Sequence, residues 1–236
     1  MAVDSLRRCR VVAVDVGSVQ RNFAWAALDL PSRRPAGAGA DPHGASSAVL
    51  DALSSGAPVA LGFEAPIVVP VSPVDTSEGW RTLGRARQGE TGGGQSRPWS
   101  AGAGSGALTT GLVQLAWMLD WLASQMSTLR VTTSPSHWTA GQAELFVWEA
   151  FVSGTGKPVP SATGQHAADA AAAADTFADR LAAGTLGTSD VTCGPSSAFN
   201  LVAAAAAFAG MSVVPPGLRS DVPVYRTRPG DAGPHR

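Results

Sequence analysis

A chain of 236 residues can bury a sizeable core, and 44% hydrophobic against 15% charged residues excludes a disordered chain and favours one compact α/β domain. The formal net charge of −1 excludes a global basic field for nucleic acid, and no apolar run approaches the roughly 20 residues that span a bilayer. Cys9 and Cys193 are too few for a disulfide framework or a cysteine zinc site, and no signal-type apolar run follows Arg7, Arg8 and Arg10, so a cytoplasmic location without a membrane partner is expected.

The β-branched run Val11 to Val14 predicts a buried strand that delivers Asp15 to its end. A polar turn (Gln20, Arg21, Asn22) and the apolar run Phe23 to Leu30 predict its return as an antiparallel hairpin. Burying Asp15 costs several kcal/mol unless the carboxylate is paired or binds a metal; the alternative is that it accepts turn hydrogen bonds from Gly17 and Ser18. Pro31 to Gly44 reads as a mobile loop, and Val49, Leu50 and Leu53 predict a short helix over Ser46 to Ser54. A second buried strand, Val59 to Phe63, delivers Glu64, and Pro66 biases Ala65 away from helix.

Pro66 to Gly106 is rich in Pro, Gly, Ser and Arg, including Gly92-Gly93-Gly94, and loops of that length are usually functional or disordered. Its arginines Arg81, Arg85, Arg87 and Arg97, set against Glu78 and Glu90, either meet phosphates or are solvated. Arg97-Pro98-Trp99-Ser100 with Gly102, Gly104 and Gly106 suits an ordered cover over a site. Leucines at three- and four-residue steps predict an amphipathic helix over Leu108 to Met126, with Trp117 and Trp121 widening its core face. Leu129 to Thr133 is β-prone, and Leu145 to Trp148 predicts a strand delivering Glu149. After a loop over Gly154 to Gly164, His166 and Asp169 open an Ala-rich helix running to about Ala183. Ser197 to Ala209 reads as a last helix closed by Gly210, and the tail from Pro215 as frayed.

Asp15, Glu64 and Glu149 each follow a predicted strand, and Asp169 lies on a helix expected to pack on that sheet. Acids converging at one edge repel unless cations bind between them, and hard oxygen ligands select Mg²⁺ or Mn²⁺. Two such ions a few Å apart are the apparatus for in-line attack at phosphorus. His166 either assists proton transfer or caps the start of its helix, and Arg97 either grips a phosphate or pairs with Glu90.

The motifs VVAVDVGS, GFEAPI, FVWEAFVSGTGK and HAADAAAAAD resemble the predicted nuclease families of the ribonuclease H-like superfamily, in particular a bacterial branch with an acid-Ala-Pro-Ile strand end and a late Asp-Ala helix. The resemblance covers roughly Val11 to Ala183. It implies a ribonuclease H-like mixed sheet flanked by helices in one domain over 1–214, with a long insert at about 66–106 and a tail over 215–236. It further implies a metal-dependent nuclease acting on nucleic acid, with Asp15, Glu64, Glu149 and Asp169 holding Mg²⁺ or Mn²⁺, or one of them orienting water. The chain departs from the pattern in its long insert and in having Glu where Asp is common. Asp15-Val16-Gly17-Ser18 also resembles the first phosphate loop of the actin and sugar-kinase superfamily, although no second Asp-Gly phosphate motif follows. A catalytically degenerate binding module is the non-enzyme alternative, favoured by the near-neutral charge and opposed by the acids at the strand ends.

Overall fold

The computed structural model of the protein describes residues 8–74, 79–92, 97–214 and 217–228. Of the segments read above, Arg7, Glu78, Gly93, Gly94 and the tail positions 215–216 and 229–236 fall outside the described residues.

Strand β1 (Arg10–Asp15) and strand β2 (Ala24–Asp29) pair antiparallel from Arg10↔Asp29 to Asp15↔Ala24. The Ser18 carbonyl closes the hairpin by accepting the amides of Arg21, Asn22 and Phe23 at 2.9–3.1 Å. The chain then continues as β3 (Arg34–Gly39), antiparallel to β2, where a mobile loop was expected. Its small residues are what the neighbouring strand requires: the Trp25 indole lies across them, and a Cβ on Gly39 would stand 2.7 Å from Trp25 Nε1. Asp41 caps helix α1 (Pro42–Ser54) by accepting the Gly44 amide at 2.7 Å, so the helix starts four residues earlier than its apolar spacing indicates.

Strand β4 (Val59–Phe63) lies parallel to β1. The expected long loop is partly regular: it contains β5 (Val68–Val71) and a single 3-10 turn (Gly79–Thr82), and it ends where helix α2 (Gly102–Gln125) begins. The apolar stripe of α2 is core at Leu115, Leu119 and Leu122, whereas Trp117 is exposed. Beyond it come β6 (Arg130–Thr132), the short helix α3 (Pro135–Thr139), β7 (Leu145–Phe151) and helix α4 (Gln165–Ala182). The predicted C-terminal helix is two elements. Ser197–Asn200 is β8, paired antiparallel with β5, and α5 (Leu201–Phe208) starts only where the Asn200 side chain accepts the Ala203 amide at 2.9 Å. Last come β9 (Ser212–Val213) and β10 (Val224–Arg226), the latter parallel to β7; the tail is therefore not frayed there, and the domain does not end at 214.

The main sheet has eight strands in the order β3-β2-β1-β4-β7-β6-β9, with β10 also on β7, and is mixed but mostly parallel beyond the hairpin. With helices on both faces this is an α/β architecture consistent with a ribonuclease H-like fold. Alternation along the central strands divides the core in two. Val12, Val14, Leu61, Phe63 and Val147 face α1, α2 and α5, while Val11, Ala13, Ala60, Phe146 and Trp148 face α4 and its Phe177. Trp148 lies directly over Gly62, where a Cβ would stand 2.3 Å from the indole, so only glycine lets these two strands carry that ring. Among the described residues no helix is long and apolar enough to cross a membrane.

Candidate metal centre

Because β1 and β4 are parallel and in register at Val14↔Phe63, their ends deliver Asp15 and Glu64 side by side. The bond from the Glu64 amide to the Val14 carbonyl, 2.8 Å, fixes that adjacency. The same alternation turns both side chains toward the face covered by α4. That helix is rich in alanine, packs close to β1 and β2, and brings Asp169 from its first turns. One carboxylate oxygen from each of Asp15, Glu64 and Asp169 lies within 4.8 Å of the others, and all three residues are buried.

Burial pushes Asp15 up to about 7, helped by the negative charge of Asp169. Burial and the adjacent Asp15 charge likewise push Glu64 well above the usual carboxylate range. Each acid has a different set of donors. Asp169 accepts from Lys157 Nζ at 2.8 Å and from Gln165 Nε2 at 2.6 Å. His166 Nδ1 lies 2.6 Å from Asp15 Oδ2, so this half-exposed ring turns to the triad. The Asp15 carboxylate accepts no amide from Gly17 or Ser18 among the described residues, which sets aside the turn reading. Glu64 Oε2 is buried and has no hydrogen-bond partner among the described residues. A buried carboxylate oxygen without a donor is costly unless a cation approaches it, so the triad fits a divalent metal ion by its donor chemistry.

Glu149 stands apart from this cluster, contrary to expectation. Strand β7 does not end at Trp148 but runs on to Phe151, and Glu149 pairs in register with Phe63. Its side chain therefore leaves the sheet on the face opposite to Asp15 and Glu64. There it is fully buried, with Oε2 and Oε1 each 2.7 Å from the Arg87 guanidinium and a third bond from the Ile67 amide at 3.0 Å. A carboxylate so saturated has no reason to bind metal.

Arg97 is buried between the two groups of acids. Nη1 donates to the Glu64 carbonyl at 3.2 Å and lies 3.4 Å from Glu64 Oε1, while Nη2 donates to the Ala150 carbonyl at 3.1 Å and lies 3.7 Å from Glu149. Of the two alternatives for Arg97, the ion pair with Glu90 does not form, because Glu90 is held by Arg87 at 2.9 Å; Arg97 meets Glu90 only through the backbone. Sequence reasoning missed Lys157 and Gln165 here, and Arg87, read as meeting phosphates or solvated, is instead buried on Glu90 and Glu149. Lys157 lay in plain view as the chain's only lysine and as the end of the motif FVSGTGK.

Fold and site together define an α/β protein with a buried carboxylate centre able to hold a divalent metal. Comparison with protein-family models, with curated proteins and with solved structures found no significant match.

Proposed function

We propose that the protein is a metal-dependent hydrolase of phosphodiester bonds that takes nucleic acid as its substrate. The observation that carries the reading is the convergence of Asp15 and Glu64 from parallel strand ends with Asp169 from the helix above them, Glu64 Oε2 being without a donor among the described residues. These three residues would hold the ion. An all-oxygen set without thiolate suits Mg²⁺ or Mn²⁺. When bound, such an ion neutralises charge at a phosphate and activates water for attack at phosphorus.

The chain's own groups divide the remaining work. Arg97 keeps the Glu64 carboxylate in place from the buried side. His166, in reach of Asp15 and half-exposed, carries a proton between the centre and solvent. The net charge of −1 implies weak and strongly salt-sensitive binding of long nucleic acid.

The test is cleavage of labelled single-stranded, duplex, hybrid and branched substrates with Mn²⁺, using wild type, Asp15→Asn and Glu64→Gln. Cleavage by wild type that drops at least about 100-fold in both variants supports the reading. Absence of cleavage on every substrate, or variants as active as wild type, rejects it. ATP turnover in place of cleavage would favour the sugar-kinase resemblance instead.

A further inference from the structure

Three buried carboxylates carry more negative charge than one divalent ion cancels. We infer that Lys157 is a built-in second cation of this centre, so that the site takes one divalent metal ion and not a pair. The inference rests on the metal-dependent reading of the triad given above.

The positions open to metal are few. Both oxygens of Asp169 already carry donors, Lys157 Nζ at 2.8 Å on Oδ2 and Gln165 Nε2 at 2.6 Å on Oδ1, and Asp15 Oδ2 has His166 Nδ1 at 2.6 Å. What remains is Glu64 Oε2, which has no donor among the described residues although the side chain is only 8% exposed, in a triad where one oxygen from each residue lies within 4.8 Å of the others. A single Mg²⁺ or Mn²⁺ with ligands at about 2.1 Å needs neighbouring oxygens about 3 Å apart, so the three side chains would draw together to hold it.

A pair of ions about 3.5–4 Å apart needs further oxygen ligands on the far side of a bridging carboxylate. At Asp169 the place of such a second ion is taken by the ammonium of Lys157, 2.8 Å from Oδ2. The remaining acid that could serve, Glu149, is consumed by Arg87, and no other acid joins the cluster among the described residues. Charge agrees with geometry. Arg97 is shared between Glu64 and Glu149, and Arg87, Arg97, Lys157 and one divalent ion together balance the five acids Asp15, Glu64, Asp169, Glu90 and Glu149. An ammonium is a compact point charge, closer in shape to a metal ion than a planar guanidinium. A lysine stands at this position in a chain whose other strongly basic side chains are all arginine.

The experiment counts Mn²⁺ bound per chain, by calorimetric titration and by the electron paramagnetic resonance of free and bound Mn²⁺, in the full chain. Wild type should bind one ion. Lys157→Gln, which removes the charge and puts an amide oxygen beside Asp169 as the missing ligand, should bind two ions with a spin-coupled signal, and Lys157→Arg should keep to one. A wild type that binds two ions, or a Lys157→Gln protein of unchanged circular dichroism that still binds one, overturns the inference while leaving the metal centre standing. A wild type that binds none rejects the metal centre itself, and this inference with it.

Discussion

Asp15 is held near 7 by burial and by the Asp169 charge, far above its ordinary 3.8, and this has a consequence for stability. The folded state binds a proton that the unfolded state has already lost over that window. The stabilisation from the protonated carboxyl is therefore full below about pH 4 and lost as pH rises through about 7. In metal-free protein, wild type should lose stability relative to Asp15→Asn across that range, by up to about 4 kcal/mol, as read by urea unfolding at successive pH values. Millimolar Mg²⁺ should restore much of the loss at neutral pH in wild type and little of it in the variant, because binding to the native state alone stabilises by mass action. A wild-type-to-variant difference that stays flat with pH would show that Asp15 is not a buried, repelled carboxylate.

At the scale of the element, strand alternation decides which acids belong to the centre. The hairpin, β4 and the Ala-rich helix were legible because their apolar runs are short, bounded and periodic, and so Asp15, Glu64 and Asp169 were found. The apolar run ends at Trp148 and so puts Glu149 at a strand end, whereas Glu149, Ala150 and Phe151 continue the ladder. Once Phe63↔Glu149 is the register, parity puts Glu149 on the other face. Glu149→Gln should destabilise the protein by about 3 kcal/mol or more, because it leaves the fully buried Arg87 short of a partner, yet Mn²⁺ affinity should be nearly unchanged. Denaturant unfolding and a metal titration read the two effects separately; a folded Glu149→Gln protein that no longer binds Mn²⁺ would return Glu149 to the metal shell. Strand β3 escaped notice for a different reason. Gly and Pro are scored as breakers, and nothing local announces that the Trp25 ring of the next strand needs small neighbours.

Across the whole molecule, what the sequence concealed is what long-range packing creates. Arg87 reaches Glu149 across 62 positions of chain, a contact that no window of sequence displays, and Lys157, 12 positions before Asp169, is turned onto it by the fold of a glycine loop. The C-terminal segment was read as loose for its Pro and Arg content. Tyr225 is in fact fully buried, its hydroxyl donating to the Leu186 carbonyl at 2.6 Å and its ring 5.3 Å from Trp148. That strand extends the sheet beside β7 and helps hold the β4 and β7 ends at which the centre is built. The most direct measurement is an anomalous-difference map from crystals grown or soaked with Mn²⁺. A peak bounded by oxygens of Asp15, Glu64 and Asp169, with Glu149 still on Arg87, is the expected result; a fully occupied Mn²⁺ elsewhere, or an empty triad at millimolar Mn²⁺ and neutral pH, would contradict the metal centre.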